Sequence, residues 1–151
     1  MVVDDDFISQ AILQNILAQE GFRPIPAGSG AEARAIAATE QPDLILLDVN
    51  MPGENGFETC TLLKKDARTE AIPVIFVTSA QDTDSKVRGF AVGGVDYVTK
   101  PYEREEVLAR VRVHIRLRQA YESLVKYHVE RIGQVALAQS SMLPEESDLR
   151  D

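Results

Sequence analysis

An α/β fold with a doubly wound, five-stranded parallel sheet is predicted by three observations. Short apolar runs alternate along the chain with segments of helical spacing, which implies strands joined by crossover helices that cover both faces of a sheet. The run Leu44 to Leu47 is continuously apolar, as a strand buried on both faces must be. The second run carries Pro24 and Pro26, which a sheet tolerates mainly on an edge.

Taken in order, Met1 to Val3 reads as the end of a first strand. Asp6 is placed to cap the helix that follows, Ile8 to Gln19, where Ile8, Ile12, Leu13, Ile16 and Leu17 recur at helical spacing before Gly21 stops it. Phe22 to Ala27 is the proline-bearing edge strand, Ala31 to Thr39 an alanine-rich helix, and Asp43 to Val49 the buried third strand. A turn from Met51 to Gly56 leads into a helix from Phe57 to about Ala67, on which Cys60 is a small core residue. Strand Pro73 to Thr78, a helix from about Asp82 to Val92, strand Asp96 to Lys100 and a last helix from Glu103 complete the pattern. With the second strand outermost, the expected order is the flavodoxin-like 2-1-3-4-5.

A chain of 151 residues, 44% hydrophobic and 26% charged, has room for one domain with a proper core plus an appendage. Net charge of -8 argues against a surface that holds nucleic acid directly, because such affinity comes from Lys and Arg neutralising phosphates. A single cysteine excludes an internal disulfide and a multi-cysteine zinc site. No run approaches a membrane span, and Met1 leads into a strand instead of a basic and apolar leader, so a cytoplasmic location is expected. The first strand is short for its kind, as if the sequence starts late within it.

The chemistry sits at the strand ends. Asp4, Asp5 and Asp6 follow Val2 and Val3 directly, and Asp48 ends the Leu44 to Leu47 run. In neighbouring parallel strands these carboxylates converge at the carboxyl edge, where open α/β sheets bind ligands. Two carboxylates about 4 Å apart repel by about 4 kcal/mol at an effective dielectric near 20, so the cluster calls for a cation. Magnesium suits it, since it takes oxygen ligands and is commonly held by one or two carboxylates together with a phosphate oxygen. The later strands end in Thr78 and Lys100.

Four motifs in order carry a resemblance: Val2-Val3-Asp4-Asp5-Asp6, Leu46-Leu47-Asp48-Val49-Asn50-Met51-Pro52-Gly53, Phe76-Val77-Thr78-Ser79-Ala80, and Asp96-Tyr97-Val98-Thr99-Lys100-Pro101-Tyr102. From Val2 to about Arg118 the chain resembles the CheY-like receiver domain of two-component response regulators. The resemblance implies that Asp48 is the phosphoacceptor, a carboxylate nucleophile. It implies magnesium held by Asp5, Asp48 and the main-chain oxygen of Asn50, with Asp4 acting through water. Lys100 would pair with Asp48 and later with a phosphate oxygen, Thr78 would bring its hydroxyl to the phosphate, and Tyr97 would turn inward in response. A cis Lys100–Pro101 bond is implied, as is tuning of dephosphorylation by Asn50 and Ala80. The implied partner is a sensor histidine kinase or a phosphotransfer protein. Singly, each residue has an ordinary reading: a triple Asp caps a helix, Thr78 ends a strand, Lys100 is exposed, Tyr97 is core. Their order and spacing give them weight.

Beyond the receiver, residues 1–118, a helical linker over 119–143 and an acidic, disordered tail over 144–151 are expected. Nothing breaks the last helix before Gly133, and helical character could run to Met142; forty residues of helix span roughly 60 Å. Leu117, Tyr121, Leu124, His128, Ile132 and Val135 form a coiled-coil-like stripe, so a homodimer through this helix is expected. His114 and His128 are read as structural or solvent-facing. The segment Ala136 to Pro144 is similar to linkers preceding serine phosphatase domains, and such helices also precede diguanylate cyclase and histidine-kinase modules. The resulting expectation is a phosphorylation-dependent switch that transmits its state through the last helix. Two other readings stand beside it. A phosphohydrolase of the haloacid dehalogenase type would use Asp4 as nucleophile and Asp6 as acid, but leaves Asp48 without a role. A pseudo-receiver would serve only for docking or dimerisation.

Overall fold

A computed structural model describes residues 1–79 and 83–141. The elements are β1 (Val2–Val3), α1 (Phe7–Gln19), β2 (Pro26–Ala27), α2 (Gly30–Glu40), β3 (Ile45–Asp48), α3 (Gly56–Lys65), β4 (Val74–Thr78), α4 (Thr83–Ala91), β5 (Asp96–Thr99) and α5 (Arg104–Ser141). The strands form one parallel sheet in the order β2-β1-β3-β4-β5, as the proline-bearing edge strand and the alternation require.

Side chains alternate across the sheet, so each strand feeds two cores. Val3, Ile45, Leu47, Val74, Phe76 and Tyr97 point to the face covered by Ala33 and Ala37 of α2 and by Phe57, Cys60 and Leu63 of α3. Val2, Leu46, Ile75, Val77 and Val98 point to the face covered by Leu13 and Leu17 of α1 and by Val107, Leu108 and Val111 of α5. Burial on both faces explains why β3 and β4 read as unbroken apolar runs.

Several boundaries depart from expectation for local reasons. The second strand, expected over Phe22 to Ala27, shrinks to Pro26–Ala27. Its prolines are compatible with pairing to β1: Val2 N–H donates to Ile25 O at 2.8 Å and Asp4 N–H to Ala27 O at 3.1 Å, bonds that need no proline N–H. Helix α3 stops at Lys65, two residues short of expectation, because Asp66 adopts extended backbone and takes the Arg68 N–H at 2.9 Å. Helix α5 runs through Gly133, where a lone glycine costs only about 1 kcal/mol.

The chain divides into two units between Arg116 and Leu117. The first holds the sheet and both cores. In the second, Leu117, Tyr121, Leu124, Ile132 and Val135 are all exposed. Residues 142–151, with the expected acidic tail and the end of the linker-like segment, lie outside the described residues. Among the described residues no helix is long and apolar enough to cross a membrane.

Candidate phosphoacceptor site

Strand β1 ends one residue before Asp4, and the chain turns at once into α1. Asp6 caps that helix, its carboxylate accepting Ile8 N–H at 3.1 Å and the Ser9 hydroxyl at 2.9 Å. The cap fixes the turn, and Asp6 N–H in turn donates to Asp4 Oδ1 at 2.9 Å. Asp4 is thereby buried while Asp5 stays exposed at the rim. Asp48, the last residue of β3, is buried as well, and its Oδ1 accepts Asn50 N–H at 3.2 Å. Carboxylate oxygens of Asp4, Asp5 and Asp48 lie within 4.8 Å of one another.

Lys100 follows β5 and crosses to this cluster, its Nζ donating to Asp4 Oδ2 at 3.0 Å and to Asp48 Oδ2 at 3.2 Å. The Lys100–Pro101 bond is cis, and Lys100 N–H bonds Thr78 O at 2.9 Å, so the ends of β4 and β5 are tied together. Burial, then the neighbouring Asp4 charge, pushes the Asp48 carboxyl up to about 6, against the opposing pull of Lys100 and of Asn50 N–H. Burial pushes the Lys100 ammonium down, but Asp4 and Asp48 outweigh it and hold it above its ordinary value. The Lys100 ammonium thus pairs with two of the three carboxylates. A cluster of hard oxygen donors with excess negative charge is the chemistry magnesium binds, and the residues present fit that ion.

Thr78 is buried at the end of β4. Tyr97 is buried too, its ring 5.5 Å from those of Phe76 and Phe90 and its hydroxyl donating to Ser85 O at 2.7 Å and Lys86 O at 3.2 Å. It therefore faces inward, against α4. Asn50 is exposed beside Asp48, and Ala80 lies outside the described residues. Of the two histidines, His128 is exposed, whereas His114 Nε2 lies 2.9 Å from Asp96 Oδ2.

Three residues escaped the sequence reading. Gln10 is buried and donates Nε2 to Ala27 O at 2.9 Å and Asp4 O at 3.4 Å, holding the ends of β1 and β2 in place. Its signal was a polar residue three and seven places before the buried Leu13 and Leu17. Gly56 opens α3 behind Asn55, whose side chain accepts Glu58 N–H in a capping box. A Cβ at Gly56 would overlap the Asp48 carbonyl oxygen, so the glycine lets α3 press on the backbone of the acceptor strand. Gly89, on α4, lies against Tyr97 in the same manner.

A doubly wound sheet whose carboxyl edge gathers an acidic trio and a lysine holds the groups that magnesium-assisted phosphoryl chemistry uses. Residues 1–112 match the response regulator receiver domain, and the chain belongs to that family. It is 39% identical over 116 residues to the DNA-binding dual master transcriptional regulator RpaA of Synechocystis, covering 77% of this chain and 48% of that one. It is 39% identical over 124 residues to the transcriptional regulatory protein YvrH of Bacillus subtilis, covering 82% and 50%. The chain thus spans about half the length of these curated relatives. Among solved structures, chemotaxis protein CheY4 of Vibrio cholerae aligns with a TM-score of 0.71 at 29% identity, covering 74% of this chain and 92% of that one. The Francisella response regulator 1452 receiver domain aligns at 0.69 and 30% identity, covering 76% and 93%.

Proposed function

We propose that this chain is a phosphorylation-dependent switch that accepts a phosphoryl group on Asp48 from a histidine kinase or phosphotransfer protein. The observation that carries the reading is the buried Asp48 carboxylate, with Lys100 Nζ at 3.2 Å and the oxygens of Asp4 and Asp5 within 4.8 Å. An Asp48 oxygen attacks the phosphorus as the P–N bond to the donor imidazole breaks, yielding an acyl phosphate and the free histidine. Asp5, Asp48 and the main-chain oxygen of Asn50 would hold magnesium, with Asp4 through water; bound there, the ion offsets charge on the phosphoryl oxygens. Lys100 exchanges its Asp48 partner for a phosphate oxygen, a role that suits a point-charge ammonium. Thr78 brings its hydroxyl to the phosphate, and Tyr97 reports the change to α4. Phosphohydrolase chemistry is disfavoured because Asp6, the acid it needs, is engaged as the α1 cap.

The second unit then carries the output. Its exposed stripe supports a homodimer through the C-terminal helix, and the relatives named as DNA-binding regulators suggest an effector module beyond the span matched here. The decisive experiment is intact mass after incubation with acetyl phosphate, with and without magnesium, on wild type and Asp48→Asn, followed by light scattering. A magnesium-dependent gain of one phosphoryl group, lost in the variant, is expected. No gain in wild type would leave a docking module as the better account.

A further inference from the structure

Gly89 lies in the last turn of α4, and its backbone does not use the left-handed region that would require glycine. The reason for a glycine there is therefore space. A Cβ built at position 89 would overlap the Tyr97 hydroxyl oxygen and stand 2.7 Å from Tyr97 Cζ and 3.0 Å from Phe76 Cδ2. The buried Tyr97 ring thus ends in the gap left by the missing side chain. From that gap its hydroxyl donates to the carbonyls of Ser85 and Lys86, one turn earlier on the same helix.

The surroundings hold this gap in place. Phe76 packs on Tyr97 and, at 5.3 Å, on Phe57, whose ring carries the Arg88 guanidinium at 4.5 Å. Arg88 is the neighbour of Gly89, so α4 is anchored to α3 beside the gap. At the end of α4, Gly94 N–H bonds Gly89 O at 2.9 Å, and a Cβ at Gly94 would overlap Phe76 and not Tyr97.

We propose that Gly89 is the positioning residue for the switch tyrosine: the absent side chain is a notch that admits the Tyr97 hydroxyl and ties its inward rotamer to the place of α4. The inference deepens the proposed switch and rests on it for its meaning, but the geometry is independent of phosphorylation. A methyl group at position 89 shuts the notch. Tyr97 then turns out to solvent, and the acid pocket, which Gly89 does not touch, still takes up a phosphoryl group that α4 no longer senses.

The test uses the whole chain with its tyrosine rings labelled with ¹³C. There are four tyrosines, and Tyr97→Phe assigns the Tyr97 signal. In Gly89→Ala the Tyr97 signal is expected to move to the position of a solvent-exposed ring, with Tyr102, Tyr121 and Tyr127 unmoved and the magnesium-dependent mass gain on Asp48 retained. Thermal unfolding supplies a second readout. Alanine at position 89 is expected to lower Tm with Tyr97 present and to lower it much less in a Tyr97→Ala background, where Phe76 is the close neighbour that remains and can move into the space Tyr97 leaves. A folded Gly89→Ala protein with an unmoved Tyr97 signal overturns the proposal. So does a Gly89→Ala substitution that lowers Tm as much in the Tyr97→Ala background as in wild type, and if the single variant fails to fold, a double variant that also fails to fold beside a folded Tyr97→Ala overturns it too. Failure of wild type to take up phosphate would instead sink the switch reading and leave the ring measurement standing.

Discussion

The Nζ of Lys100 stands 3.2 Å from Oδ2 of Asp48 and shares itself with Asp4 at 3.0 Å. Two buried carboxylates and a third nearby therefore face one ammonium, and the pocket retains negative charge that folding must hold together. Carboxylates about 4 Å apart repel by about 4 kcal/mol at an effective dielectric near 20. Asp48→Asn keeps the shape and removes one charge. In magnesium-free buffer it is expected to be more stable than wild type by about 2 kcal/mol, read as a higher urea midpoint at unchanged slope. Lys100→Met should be less stable by about 3 kcal/mol, since it leaves buried charges unmatched. Added magnesium should stabilise wild type more than Asp48→Asn, by mass action on a site the variant weakens. A less stable Asp48→Asn would mean that the pocket already compensates its charges.

Gly56 makes a steeper demand. Its Cβ would overlap the Asp48 carbonyl oxygen and come within 2.8 Å of Val49 Cα, both backbone atoms of the acceptor strand's end. Backbone cannot yield as a side chain does. Gly56→Ala should cost more than 3 kcal/mol or prevent folding, well beyond the usual effect of a single substitution. A urea midpoint equal to that of wild type would show that α3 can slide off β3.

The sheet and the gathering of polar groups at its strand ends were legible because both follow local rules. Apolar runs with the right periodicity name strands, two prolines name an edge, and Asp4, Asp48, Thr78 and Lys100 each stand at a strand's end. The relationships that position those groups were not legible, because they join residues far apart in sequence. His114 finds its partner eighteen positions away at Asp96. Gln10 reaches Ala27 across seventeen. The need for glycine at positions 56 and 89 comes from what other elements bring against them, which no local pattern records.

Asp96 illustrates such a partnership and its dependence on pH. Its carboxylate takes Arg110 Nη1 at 2.6 Å and its own neighbour's N–H, that of Tyr97, at 2.8 Å, with His114 Nε2 at 2.9 Å. Burial alone would raise its pKa, but the bonds from His114, Arg110 and Tyr97 N–H outweigh burial and hold the carboxyl below its ordinary value. A depressed acid contributes stability that is present above the unfolded value, near 4, and is lost as pH falls through the folded one. Asp96→Asn should therefore cost about 2 kcal/mol at neutral pH, the scale of charged hydrogen bonds, and flatten the fall in urea midpoint below about pH 4. Parallel acid limbs in the two proteins would remove Asp96 from the account.

Cys60 offers a direct probe of opening. It is fully buried, and burial pushes its thiol up to about 11, so the reactive thiolate is scarce and shielded. Reaction with a disulfide reagent at pH 8 should follow the rate of unfolding and accelerate with urea. Rapid modification of the native protein would show that α3 opens locally.

The apolar stripe of the second unit makes the last prediction. Tyr121 and Ile132 are eleven residues apart, as are Leu124 and Val135, and all four are exposed. An eleven-residue repeat keeps one face in line along a helix and favours a gently right-handed supercoil. That geometry suits a second copy of the same helix. Burying a leucine or isoleucine is worth about 1.5–3 kcal/mol, so Leu124→Lys or Ile132→Lys should each weaken association by about tenfold or more in sedimentation equilibrium. Ser123→Lys lies off the stripe and should leave association unchanged. Equal weakening by all three would indicate a general charge effect, and no weakening by any would place the dimer contact, if one forms, outside this stripe.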